Sequence, residues 1–353
     1  MSLLKHTTEF CDSYGLDVPI IMAPMAGACP VGLASAVSNA GGMGACGALL
    51  MDDGQIHDWV SQFRDMSNGA FMLNNWIEEP APARNKRQEE QMRAFLSDFG
   101  PDVASDAGDA PLLSFDAQCQ AMIAARPTVI SSIMGLYDED IVQQMKQNDI
   151  RWFATITSVT EAVAAEKAGA DALIVQGHEA GGHRGNFLTP AGESVGLMSL
   201  IPAVADAVSI PLIATGGIAD KRSIAAAILL GASAVQIGTS LLRSPEAGIA
   251  PAWADAIATA LPEDTVTTRA YSGKLGRAIK NKYLTEIQKP DAPDPAPYPI
   301  QRALTAGMRS KASAENNIDM MQAWAGQSAR LARDDKASDI ISSLWSEVVA
   351  QFN

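Results

Sequence analysis

Two of the chain's four histidines, His178 and His183, lie a few residues apart in Gln176-Gly-His-Glu-Ala-Gly-Gly-His-Arg-Gly185, beside Glu179 and Arg184. An imidazole that titrates near neutrality can take a proton, return it, or donate a hydrogen bond to negative charge. A neighbouring carboxylate and guanidinium can tune it. The glycines let the backbone take positive φ and come close to a ligand. The run just upstream, Ala172-Leu-Ile-Val175, reads as a buried strand. An apolar strand feeding a glycine-rich polar loop is how α/β enzymes present reactive side chains at the carboxyl end of a sheet.

Other strand ends carry related signals. Thr215-Gly-Gly-Ile218 and Gln236-Ile-Gly-Thr239 each join glycine to a hydroxyl. Ligand-free tight turns would account for either one alone. Together, after the last two strands of an eightfold β/α pattern, they point to a phosphate held by backbone N–H groups. The first strand ends Ala23-Pro-Met-Ala-Gly27, the third at Asn74 and the sixth at Gln176. Amide side chains and exposed backbone at a barrel mouth suit a flat heterocycle such as a flavin or a nucleobase. Taken singly, each is also an ordinary strand cap.

The elements that must hold these groups follow from the hydrophobic pattern. Short apolar runs at 19–23, 43–46, 70–74, 128–133, 151–156, 172–176, 211–215 and 234–237 alternate with helical segments. Continuous apolar strands imply burial on both faces and hence a parallel sheet. The alternation predicts an α/β TIM (β/α)8 barrel. An open doubly wound sheet is the alternative, but no Gly-x-Gly-x-x-Gly follows the first strand. The expected division is a barrel over 1–245 with an insertion at about 80–115, a helical cap over 246–317, and C-terminal helices over 318–353 that return to the barrel. The basic run from Thr268 to Lys282, with Lys274, Arg277, Lys280 and Lys282, reads mainly as a solvated surface helix.

The 353 residues are 47% hydrophobic and 19% charged, a core-rich globular composition. A net charge of −14 argues against a nucleic-acid surface and against anionic membranes. Cys11, Cys29, Cys46 and Cys119 lack metal-binding spacing, so no metal site is expected. Without a basic-then-apolar leader, a reduced, cytoplasmic protein is expected. Self-association into a homo-oligomer is left open.

Ile20-Ile-Met-Ala-Pro-Met25, Phe71-Met-Leu-Asn74, the Gln176–Gly185 segment, Ala214-Thr-Gly-Gly-Ile218, Gln236–Thr239, Thr268–Gly273 and Trp324-Ala-Gly-Gln327 occur in that order. In this the chain resembles the nitronate monooxygenase family, formerly the 2-nitropropane dioxygenases. The Glu-Ala-Gly-Gly-His-Arg-Gly segment is specific to that family and to the related FMN-dependent enoyl-acyl-carrier-protein reductases. The resemblance implies an FMN-dependent flavoprotein, a TIM barrel with a smaller, mostly helical second domain over the pocket, that oxidises alkyl nitronates with O2 to a carbonyl compound and nitrite through a flavin semiquinone. It implies flavin contacts through the backbone of Met22, Ala23 and Pro24, and at Asn74, Gln176, Gly181 and Gly182. It implies a phosphate held by Gly216, Gly217, Gln236, Ile237, Gly238 and Thr239, and His183 as the catalytic residue on the substrate side. Gln327 would reach back toward the pocket.

Two features depart from the family pattern. His178 stands where relatives carry an apolar or small residue, either as a pocket imidazole or as a partly exposed loop residue. Asn74-Asn75-Trp76 replaces a single Asn followed by an apolar residue. Both bear on the substrate rather than the cofactor. Arg184 reads either as a source of positive potential or as an ion pair for Glu179. The alternative functions are an FMN-dependent reductase carrying hydride from NAD(P)H to an enoyl thioester or quinone, and a non-catalytic flavin sensor.

Overall fold

The structure is a computed structural model that describes residues 4–109, 112–190 and 192–352. All eight expected strands form: β1 (Ile20–Met22), β2 (Gly44–Gly47), β3 (Phe71–Trp76), β4 (Val129–Ile133), β5 (Arg151–Ile156), β6 (Ala172–Gln176) and, beyond a short β7 (Gly182–His183) that leaves the sheet, β8 (Leu212–Thr215) and β9 (Ala234–Ile237). They pair in parallel in the order β1-β9-β8-β6-β5-β4-β3-β2. A parallel bridge between Ile21 and Met43 closes the ring, with the Met22 N–H donating to Met43 O at 2.9 Å. The fold is a TIM barrel.

Alternation along β3 sorts its side chains. Phe71 points outward against Trp59 and Phe63 of the helix Asp53–Met66, with ring centroids 6.1 and 4.7 Å away. That helix begins at a capping box between Asp52 and Gln55. Asn75 also points outward, fully buried, and its Nδ2 donates to Gln118 Oε1. Asn74 and Trp76 turn into the barrel mouth. At the other end of the barrel, Phe10 and Tyr14 of the helix Lys5–Tyr14 pack on Phe153 with centroids 6.2 and 5.0 Å apart. That contact closes the bottom, so the carboxyl ends of the strands form the open mouth.

The excursion after β3 forms a helix, Lys86–Leu96, that packs away from the barrel. Its Met92 and Leu96 share one apolar cluster with Tyr271, Tyr283, Leu284, Ile300, Leu304 and Met308. The segment after β9 carries helices at Pro251–Thr259, Lys282–Glu286, Ile300–Leu304 and Ala306–Ala314, joined by turns and loops.

The expected surface helix over the basic run does not form. β10 (Thr265–Thr268) and β11 (Gly276–Ile279) make an antiparallel ribbon there, and β7 adds to its edge. Arg277 is only 3% exposed, because carbonyl and hydroxyl oxygens replace its water. Lys280 and Lys282 are exposed. The stretch expected to form C-terminal helices over 318–353 also differs in its first part. Residues 321–328 run as loop, with Trp324 bridged to Ala278, and the long helix begins only at Ala337 and ends at Phe352. It packs on the helices Val31–Asn39 and Lys221–Leu229.

Candidate active site

A cavity of about 580 Å³ lies between the barrel mouth and the cap. That is within the range typical of small-molecule and cofactor sites. Its barrel side is made of strand ends. Of the residues singled out in the sequence, Ala23, Pro24, Asn74, Gln176, Gly181, Gly182, Gly216, Gly217, Gln236, Gly238 and Thr239 all line it. Met22 and Ile237 do not. They are buried within β1 and β9, where alternation turns their side chains into the packed core.

The barrel wall leaves hydrogen-bonding capacity unused. Gln236 is 5% exposed, and its Nε2 has no partner among the described residues. A buried amide donor left unpaired costs roughly 1–3 kcal/mol. A ligand acceptor in the cavity would recover that. Gly216 and Gly217 adopt φ of +112° and +67°, turning the backbone sharply after β8. Their N–H groups, and that of Gly238, donate to no carbonyl of the described residues. Free N–H groups at the mouth of the last two barrel strands form a cradle for an anion. Thr239 Oγ1 accepts from the Gly326 N–H at 3.0 Å, and Ser328 Oγ donates to Gly217 O at 2.7 Å. These two bonds pin the 321–328 loop onto the same strand ends. Gly181 permits that approach, since a Cβ there would lie 2.5 Å from Gly326 N.

Gln176 has a second task. Its Nε2 donates to His183 O at 3.0 Å, and its Oε1 accepts from the Gly185 N–H at 2.8 Å. One amide therefore fixes the turn that carries His183. Glu161, fully buried on the helix Val159–Ala168, holds the next stretch. Its carboxylate accepts from the Thr157, Phe187 and Leu188 N–H groups and from the hydroxyls of Thr157 and Thr189. Burial alone would raise its pKa, but these donors outweigh burial and hold it below the usual carboxylate range.

His183 sits on β7, paired with Gly276 of β11. It lines the cavity and is clamped edge-on between Trp76 and Trp324, with ring centroids 4.7 and 4.9 Å away. Its Nε2 lies 2.8 Å from Ser272 Oγ. Its Nδ1 has no protein partner among the described residues and is the ring nitrogen left for a ligand. Burial, together with the positive charges of Lys274, Arg302 and Arg309, pushes its pKa down to about 3. The ring is therefore neutral at physiological pH, with one N–H and one lone pair.

His178 belongs to a different environment. It is half-buried and absent from the cavity wall. Its Nε2 is 2.7 Å from an Arg277 guanidinium nitrogen, and its carbonyl accepts from Arg277 Nε at 3.2 Å. Burial, with Arg277 and Arg184, lowers its pKa. Of the two sequence readings, the partly exposed loop residue fits, and it serves to hold Arg277. Arg184 makes no ion pair with Glu179. It donates to the carbonyls of Gly177 and Gln176, while Glu179 accepts from the Leu197 N–H. Gln327 is tied by its N–H to Glu179 O, and its neighbours Gly326 and Ser328, rather than Gln327, line the cavity.

Several wall residues escape a reading of the sequence. Ser272 and Trp324 lie inside family-like motifs, the one signal that could have suggested their pairing with His183. Trp76 shows only as a departure from the family pattern. Arg302 and Arg309 lie on cap helices without any motif.

Comparison with known proteins agrees with this architecture. Residues 11–347 match the family model described as nitronate monooxygenase. A probable nitronate monooxygenase of Staphylococcus aureus is 36% identical over 340 residues, spanning 94% of this chain and 95% of that protein. Among solved structures, a nitroalkane oxidase from Streptomyces ansochromogenes superposes with a TM-score of 0.87 at 30% identity, covering 97% of this chain and all of the other. FabK from Thermotoga maritima gives a TM-score of 0.76 at 27% identity, over 97% and 96% of the two chains. The eight-stranded barrel, its strand-end cavity and these matches together place the chain in the nitronate monooxygenase family of oxidoreductases.

Proposed function

We propose that this protein is an FMN-dependent nitronate monooxygenase that converts alkyl nitronates and O2 to a carbonyl compound and nitrite. The observation that carries this reading is the cavity's division of labour. Unpaired donors line the barrel wall, and a neutral imidazole with a free nitrogen faces them from the cap side.

The residues present fit FMN. The N–H groups of Gly216, Gly217 and Gly238 would take the phosphate. Asn74, the unpaired amide of Gln236 and the Ala23–Pro24 backbone would meet the ring system. Bound there, FMN supplies electron transfer between the substrate and O2. The chain's own residues then have limited tasks. A nitronate is already an anion, so the site needs donors more than a strong base. His183 donates to the substrate oxygens through the nitrogen that Ser272 does not occupy. Trp76 and Trp324 hold the ring in place and keep water from it.

The test is oxygen uptake, with nitrite released in equal amount to the nitronate consumed, by protein reconstituted with FMN. Yellow protein that releases no nitrite from any alkyl nitronate would overturn the reading. The likeness to FabK supports a second reading, a reductase that takes hydride from NAD(P)H, and rapid bleaching of the flavin by NADH is its signature.

A further inference from the structure

The cavity's charge does not match that of the molecule. The chain carries 40 acidic and 26 basic residues, yet among the described residues no Asp, Glu or Lys lines the cavity. Its only charged wall residues among those described are Arg302 and Arg309. Both come from the cap, on the helices Ile300–Leu304 and Ala306–Ala314.

The two arginines differ in how they are held. Arg309 is fixed. Its Nε donates to Thr305 Oγ1 at 3.1 Å, and its terminal nitrogens donate to Gln322 Oε1 at 3.0 Å and Arg302 O at 2.8 Å. All of these acceptors are neutral. The Arg302 guanidinium has no hydrogen bond or ion pair with any described residue, although it is half-buried in the wall. Two guanidinium groups thus share a partly desolvated space without a carboxylate. Burial, and then the charge of Arg302, push the Arg309 pKa down to about 10. Uncompensated like charges at a cavity wall are unfavourable unless an anion arrives to neutralise them. A guanidinium offers a planar fork of donors that matches two oxygens on one atom.

We propose that Arg302, backed by the rigid Arg309, is the specificity-determining residue that binds the paired oxygens of an anionic substrate in this cavity. The identification of that anion as a nitronate rests on the functional reading above. The arrangement makes the cap wall discriminate the anionic nitronate from its neutral nitroalkane. The phosphate of FMN is a competing source of negative charge, but the free N–H groups after β8 and β9 already provide for it on the opposite wall.

Inorganic nitrate, a planar monoanion with three equivalent oxygens, is a suitable probe. FMN-loaded wild-type protein and the variants Arg302→Met and Arg302→Lys would be titrated with nitrate, followed by fluorescence of the cavity tryptophans Trp76, Trp253 and Trp324. Loss of one charge-assisted contact predicts an affinity about 10-fold or more weaker in Arg302→Met, with partial retention in Arg302→Lys. The same substitution should raise KM for a nitronate far more than it lowers kcat, and should reduce the preference for nitronate over neutral nitroalkane. Since Arg302 bonds to no described residue through its guanidinium, the thermal melt should confirm that Arg302→Met folds. Equal nitrate affinity in wild type and Arg302→Met, or no nitrate binding by wild type, overturns the proposal. So does loss of FMN affinity in Arg302→Met with nitrate affinity intact, which would assign the arginine to the cofactor. Arg302-dependent nitrate binding in a protein that oxidises no nitronate would keep the anion site and remove the nitronate reading.

Discussion

The two walls of the cavity are built by different means. The barrel wall is backbone and short amides at the ends of β1, β3, β6, β8 and β9, held by the parallel ladder itself. The cap wall is side chains (His183, Ser272, Arg302, Arg309 and Trp324) drawn from segments far apart in the chain. A backbone wall presents the same donors to whatever fits. A side-chain wall can be retuned residue by residue. The first suits a common cofactor, and the second suits a particular substrate. The loop from Gln176 to Gly185 joins the two, with Gln176 on the barrel and His183 on the ribbon.

The sharpest way to break this division is His183→Ala. If the imidazole acts on substrate, turnover should fall about 100-fold or more, the usual scale for a positioned acid–base group, while FMN remains bound. Loss of FMN instead would move His183 to the cofactor side. Kinetics and flavin absorbance on the same preparation separate the two outcomes.

Glu161→Gln comes next. Glu161 reaches neither wall but pins the stretch just after His183, so the variant should lose about 2 kcal/mol of stability in denaturant titration at neutral pH. The sign with pH follows from its lowered pKa. The carboxylate's contribution is complete above the unfolded value near 4.3 and is lost as pH falls through the lower folded value. The gap between wild type and variant should therefore close in acid. A gap that widens in acid would refute the assignment.

Gly217→Ala tests the barrel wall alone. Its φ of +67° and a Cβ 3.1 Å from Glu179 Cβ should strain the turn and disturb the free N–H groups. FMN affinity should fall about 10-fold, read by reconstitution of the apoprotein. His178→Ala should change turnover by no more than a few-fold, because its partner is Arg277 behind the ribbon. The smallest expected effect is in the pH profile. With the pKa of His183 near 3, kcat/KM should show no inflection from that ring between about pH 5 and 8.

The same contrast explains what could be read from the chain. The barrel side was legible because its signals are local. Strand burial runs for several residues, and Gly-Gly or Gly-Thr follows directly. The cap side was opaque because its contacts are distant in sequence, as with Ser272 against His183. Arg277 read as solvated because charge runs are commonly exposed, yet the carbonyl of His178 and the hydroxyl of Thr265 replace its water. The histidine pair looked symmetrical in the sequence. The ribbon separates them, since β7 turns His183 into the cavity while His178 stays behind with Arg277.

The proposed reaction in this cavity is nitronate oxidation, with the cap wall acting on an anionic substrate. The most direct test mixes FMN-loaded protein anaerobically, in a stopped-flow instrument, with an alkyl nitronate and in parallel with NADH. The nitronate should change the flavin spectrum on the timescale of turnover, and NADH should not. Rapid bleaching by NADH with no response to any nitronate would contradict the claim.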